Sequence, residues 1–188
     1  MKKILLTGAI ALAILFHVNA QSKFITKTGQ VTIFSHTVAE DITASNNNVA
    51  GVMNTATGDI GISVPVQSFS FEKALMQEHF NSEHFMNSKD FPRITLKGKI
   101  TNLSSVDFNK NGEYPVEVTG DLTIRNTTKP VSEKATVVVE NGKVTVNSKF
   151  TVKDIGSYGV GKPKGGKKNN VADDIEVTYK GIYEKSSD

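Results

Sequence analysis

ALMQEHFNSEHFMNSKDFPRITLKGKI, residues 74–100, is the stretch whose reading decides the fold. It begins as a short helix, passes through a polar turn and ends in a strand. Ser70 is placed to cap the helix, and Glu72 to meet its positive N-terminal dipole. Phe71, Ala74 and Leu75 fall at i, i+3 and i+4, with His79 on the same stripe. A helix so short is marginal alone and must rest that stripe on something else. Phe91 precedes Pro92, which drives its backbone to an extended form and opens the strand. Beyond it Ile94, Leu96, Gly98 and Ile100 alternate with Thr95, Lys97, Lys99 and Thr101, the period of a half-buried strand.

Outward from this stretch the chain reads as strand after strand. Residues 30–36 and 50–53 are β-rich, and the polar run Ala44-Ser45-Asn46-Asn47-Asn48 between them reads as a turn. Ile60, Ile62, Val64 and Val66 alternate with small or polar residues, and Pro65 marks a bulge, a strand end or an edge. Downstream, Asn111-Gly112 is a hairpin signal. Val116, Val118, Gly120, Leu122 and Ile124 form the longest alternation. Asn126-Thr127-Thr128-Lys129 turns it into residues 131–139, and Asn141-Gly142 turns those into residues 144–152. Ile175, Val177, Tyr179 and Tyr183 close the series. About eight strands joined by hairpins, without βαβ spacing, predict an all-β antiparallel barrel or sandwich. Gly98 and Gly120 on inward faces tilt the choice to a barrel, since small residues there permit sharp bending.

The N-terminus reads as a leader. Met1-Lys2-Lys3 is basic, residues 4–16 are apolar, and Val18-Asn19-Ala20 has the small-x-small form of a signal-peptidase site. The apolar run falls short of the roughly 20 residues that span a bilayer. The expectation is a signal peptide over residues 1–20, cleavage between Ala20 and Gln21, and one domain over residues 21–188 in the periplasm or outside the cell. The chain carries 22 basic and 19 acidic residues, and two of the lysines leave with the leader. The near-neutral remainder lacks the basic face that nucleic acid requires. Without cysteine, the fold must stand on packing rather than disulfides.

No motif for catalysis emerges. Gly-x-Ser-x-Gly and His-Glu-x-x-His are absent. His79 and His84, in the repeated Glu-His-Phe at 78–80 and 83–85, are five residues apart and do not share a helical face. Glu78, Glu83 and Asp90 read as solvated surface. The glycine- and lysine-rich run 159–170 reads as a solvated loop, with attraction to an anionic headgroup as its alternative. The chain is read as a binding protein, not an enzyme, with neither cofactor nor metal.

Two words resemble the YceI-like family of bacterial proteins. The first runs Leu75-Met76-Gln77-Glu78-His79-Phe80-Asn81, Phe85-Met86-x-Ser88 and Phe91-Pro92-x-Ile94-Thr95-Leu96-Lys97-Gly98. The second is Gly120-Asp121-Leu122-Thr123-Ile124-Arg125-x-Thr127-Thr128-Lys129-Pro130-Val131. With the strands around them they cover residues 30–183. Two features depart from the family pattern. Asn126 stands where the turn commonly has glycine and is expected to hold the left-handed conformation in its place, and Glu78-His79-Phe80-Asn81 replaces an Arg-Asp pair typical of many relatives.

The resemblance implies an up-and-down lipocalin-like barrel holding a long-chain isoprenoid or other amphiphilic lipid for transport, storage or sequestration. Strands of about ten residues at roughly 3.3 Å each give a tunnel of about 30 Å. The expected ligand contacts are Ile62, Val64, Leu96, Ile100, Val118, Leu122, Val137, Val146, Phe150 and Val177 on the strands. Leu75, Phe80 and Phe85 are expected to act from a lid over one mouth. Transient membrane contact is expected, with a homodimer left open. The competing reading is a structural or interaction module with a filled β core, and a third is a metal-dependent hydrolase using His79 and His84.

Overall fold

The computed structural model describes residues 23–161 and 171–186. The leader, residues 162–170 of the lysine-rich run and the last two residues lie outside them. Eight long strands carry the fold: β1 Lys23–His36, β2 Asp41–Asn54, β3 Asp59–Pro65, β5 Arg93–Ile100, β6 Gly112–Ile124, β7 Thr127–Glu140, β8 Lys143–Val152 and β9 Ile175–Lys185. A two-residue strand β4 (Ser70–Phe71) and the helix α1 (Ala74–Asn81) lie between β3 and β5. The long strands pair in the order β1-β9-β8-β7-β6-β5-β3-β2, and β2 pairs back onto β1. Every pairing is antiparallel. The sheet therefore closes into a barrel, each long strand paired with a neighbour on both sides over at least part of its length.

The strand order gives the barrel two unlike ends. The β1–β2 and β6–β7 reversals, α1 and the segment joining β8 to β9 lie at the upper end. The β2–β3, β5–β6 and β7–β8 connections lie at the lower end. The lower half is filled with Val49, Met53, Ile100, Val116, Val137, Val139, Val144 and Tyr183, all buried.

Local sequence explains the tightest features. Asn141 and Gly142 both take positive φ, +50° and +77°, between the Glu140–Lys143 pair. That is the two-residue turn an Asn-Gly signal calls for. Gly98 and Gly120 face each other across β5 and β6, and a Cβ built on Gly120 would stand 2.5 Å from the Gly98 Cα. The two strands can approach so closely only because both side chains are missing.

Four local expectations are corrected. The asparagine run is not a turn: residues 44–48 lie within β2, where Val31 pairs with Asn46 and Gly29 with Val49, a bulge. Asn46 is fully buried and serves that bulge. Its Oδ1 accepts from Asn48 N at 2.9 Å and its Nδ2 donates to Pro65 O at 2.8 Å. The reversal falls instead at residues 37–40, where Glu40 N donates to Thr37 Oγ1 at 3.1 Å and Thr37 Oγ1 to Glu40 O at 3.0 Å. Asn111-Gly112 is not a tight hairpin either. Gly112 opens β6 opposite Val139, and residues 101–111 make the β5–β6 connection.

At α1 the N-cap is Lys73, which provides no side-chain cap, while Ser70 belongs to β4 and Glu72 precedes the helix. The start of the helix is secured instead by Gln77, whose Nε2 donates to Phe69 O at 2.6 Å and whose Oε1 accepts from Phe71 N at 3.2 Å. In the β6–β7 turn the left-handed residue is Arg125, at φ +55°, not Asn126.

Candidate functional site

The upper half of the barrel is hollow. A cavity of about 730 Å3 opens beneath α1, within the roughly 300–1,000 Å3 of small-molecule sites. Every long strand of the barrel contributes to its wall. Alternation in the strands explains the lining: apolar side chains of one face point in, and their polar neighbours point out.

Of the residues expected from the sequence, Ile62, Val64, Leu96, Val118, Leu122, Val146, Phe150 and Val177 line this cavity, as do Leu75, Phe80 and Phe85 from the segment above it. Ile100 and Val137 do not. Both are buried in the filled lower half, at 3% and 0% exposure. Inward and hollow are different properties, and the filled-core reading describes the lower half only.

The floor between the halves is aromatic and polar. Tyr179 lines the cavity, and its hydroxyl lies 2.7 Å from that of Tyr183 below it. Burial pushes the Tyr179 phenol well above its usual range, and raises that of Tyr183 against the opposing pull of its bond to Tyr179. Gly51 and Gly181 make room for the pair, since a Cβ on Gly51 would stand 2.5 Å from the Tyr183 Oη.

The roof is α1 and residues 82–91. Leu75, Met76, His79 and Phe80 of the helix face the cavity, and the helix has no buried residue. Leu75 is 62% exposed, so the helix stands at an open rim rather than packed into core. Phe80 is anchored on Phe69 and Phe71, at centroid distances of 5.3 and 4.9 Å. The rest of the roof is knotted more firmly. Met86 N donates to Phe80 O at 3.0 Å, Asn87 N to Ser82 O at 2.8 Å, and Met86 is 3% exposed.

Arg125 ties this roof down. From its left-handed position its Nη1 donates to Phe85 O at 3.1 Å and to Gly159 O, and its guanidinium lies 5.3 Å from the Phe91 ring centroid. One side chain thus joins the β6–β7 turn, the roof and the segment after β8. Lys129 adds a parallel tie, donating to Ser157 Oγ and lying 4.8 Å from the Tyr158 ring centroid.

The polar groups of the lining are few. At the mouth Lys73 Nζ pairs with Glu40 Oε1 at 3.0 Å, beside the exposed His79. Deeper in the wall are Glu133 and Ser148. Burial pushes the Glu133 carboxyl up, and Lys153 partly offsets that. Neither residue was expected from the sequence, although Val131, Glu133, Ala135, Val137 and Val139 share one strand face and that alternation signalled it. His84 contributes its backbone carbonyl to Gly161 N at 2.9 Å. Among the described residues, no group of three or more His, Asp or Glu side chains converges as a metal site would.

Solved structures share this architecture. A polyisoprenoid binding domain from Saccharophagus degradans implicated in plant cell wall breakdown superimposes with a TM-score of 0.73 at 10% identity, covering 88% of this chain and 99% of that one. Burkholderia cenocepacia BcnA superimposes at 0.67 with 18% identity, covering 82% and 95%. These likenesses establish the fold. In sequence, a UPF0312 protein of Enterobacter sp. is 28% identical over 85 residues, 45% of this chain and 40% of that protein. The aligned part thus spans about two fifths of the curated relative. The family model of the YceI-like domain matches residues 16–181, from before the first strand into the last. The chain belongs to the YceI-like domain family.

Proposed function

We propose that this protein is a non-enzymatic carrier that holds a polyisoprenoid or similar amphiphile in the upper half of its barrel. The observation that carries this reading is the cavity of about 730 Å3 with its largely apolar wall. Left unfilled, the apolar lining would forfeit the packing contacts that a protein interior normally makes. Water is a poor filling, since each buried molecule needs two to four polar partners, and this wall offers few. An apolar chain satisfies the wall, gaining about 0.8 kcal/mol per buried CH2 less the cost of ordering it. The name of the Saccharophagus degradans neighbour supports an isoprenoid in particular.

The leader pattern supports export, with the barrel working in the periplasm or outside the cell after cleavage at Ala20–Gln21. Loading from a bilayer entails transient membrane contact at the end carrying α1, where Leu75 and Val38 are exposed apolar residues. Titration with a fluorescent prenyl analogue tests the binding reading. Saturable one-to-one binding, displaced by unlabelled prenyl alcohol, is expected; failure to bind any prenyl compound overturns it. N-terminal sequencing of the protein made in a bacterial host tests export. An intact Met1 chain in the cytoplasm would overturn that part.

A further inference from the structure

The barrel wall has a seam. β7 and β8 pair only from Thr136–Asn147 down to Glu140–Lys143. Above that point the two strands share no pairing, although β7 stays paired with β6 as far as Thr127, and β8 with β9 as far as Val152. The register, continued upward, sets Ala135 opposite Ser148 and Glu133 opposite Phe150, all four lining the cavity. Across the gap Ser148 Oγ donates to Lys134 O at 2.7 Å, a side chain standing in for a missing ladder bond.

Glu133 has no hydrogen-bond partner among the described residues, and Lys153 acts on it only through its charge. A carboxylate facing an apolar cavity is costly unless something bonds to it. The Ser148 hydroxyl directs its O–H to Lys134 O and keeps its lone pairs free. Both groups at the seam can accept, and neither ionised Glu133 nor committed Ser148 can donate. The charges of the lining agree. Lys73 is paired with Glu40, which leaves Glu133, influenced by Lys153 through charge alone, as the carboxylate deeper in the wall without a hydrogen bond among the described residues.

We infer that the β7–β8 seam is the polar subsite of the cavity, where Glu133 accepts a hydrogen bond from the hydroxyl of a neutral isoprenoid alcohol or phenol. This inference rests on the isoprenoid reading and narrows it: prenyl phosphates and fatty acids, which would set an anion beside Glu133, are disfavoured ligands.

The test is competition against one fluorescent prenyl probe by geranylgeraniol, geranylgeranyl phosphate and the hydrocarbon squalene, on the leader-free full chain. The alcohol should bind about tenfold more tightly than the phosphate or the hydrocarbon, the scale of one hydrogen bond to a charged group. Glu133→Leu should abolish the alcohol's advantage over squalene while squalene affinity holds. Glu133→Gln, which keeps an accepting oxygen and the shape, should retain part of it and serves if the leucine variant does not fold. Glu133→Lys should favour the phosphate. Phosphate binding as tight as alcohol in the parent protein overturns the inference, as does an unchanged alcohol-to-squalene ratio in Glu133→Leu. Displacement by none of the three overturns the isoprenoid reading itself, a distinct outcome.

Discussion

The hydroxyls of Tyr179 and Tyr183 meet at 2.7 Å in the barrel interior, and this contact separates a hollow half from a filled one. Either tyrosine alone would leave a buried hydroxyl without its partner, which costs about 1–3 kcal/mol. Tyr179→Phe and Tyr183→Phe should therefore each lower stability in urea melts, and the double variant should lose less than the sum. Strict additivity would contradict the pairing. Both phenols have folded pKa values above the ordinary value of 10.0. The stability they support is thus full below pH 10 and lost as pH rises beyond it, and the double variant should flatten that alkaline loss.

Gly98 and Gly120 set a second, steric expectation. Gly120→Ala would force its Cβ into the facing backbone, which cannot move as a side chain can, and should cost at least about 1–3 kcal/mol. Gly156→Ala, where the nearest atom is 3.5 Å away, should be close to neutral. Equal effects on thermal melting would show that β5 and β6 do not approach as described.

How much of this was legible in the sequence depends on what each signal encodes. Alternation gives the face of a strand, so Val118, Leu122 and Phe150 were read correctly as inward. It does not give depth along the barrel, which is why Ile100 and Val137 were placed with the cavity although they fill the lower half. Turn chemistry was reliable where two positive φ values are demanded, as at Asn141-Gly142. It failed at residues 37–40, which contain no Gly, Pro or Asn and turn through Thr37. The asparagine run misled because buried Asn46 uses its amide to satisfy a bulge, the same capacity that makes Asn common in turns. Arg125 and Gln77 act on residues remote in sequence or outside their own element, and no local pattern announces such contacts.

The inward register can be checked by charge. Val118→Asp or Leu122→Asp would place an unpaired carboxylate on the apolar wall, and should unfold the domain or abolish uptake of a prenyl probe. Glu117→Lys, on the exposed outer face one residue away, should leave both nearly unchanged. Similar damage from the two kinds of variant, read by thermal melting, would refute the register.

Glu133 gives a pH dependence of known sign. Its folded pKa is raised above the ordinary 4.5 by burial, against the pull of Lys153. The fold therefore favours the protonated acid, and stability declines as pH rises through the raised value. Glu133→Gln should raise the melting temperature of the ligand-free protein at neutral pH and give no gain below the ordinary carboxylate range. A gain that persists in acid would mean the carboxylate is not what destabilises the wall.

The roof should govern release. Phe80→Ala and Phe85→Ala together remove cavity-facing rings from a segment held by a few contacts. Such elements lie at the low-stability end of a fold. Loss of a bound prenyl probe should quicken several-fold while the melting temperature falls only modestly. An unchanged off-rate with a collapsed melt would make these rings core rather than cover.

The most direct test of the carrier reading is native mass spectrometry of the protein purified without detergent from a bacterial host. The expected spectrum shows a one-to-one adduct that extracts into organic solvent, with related adducts spaced by one isoprene unit. It should vanish in Leu122→Asp if that variant folds, and otherwise should weaken in the Phe80→Ala, Phe85→Ala double variant. A bare chain mass, with no prenyl compound taken up on later exposure to lipid, would contradict the reading.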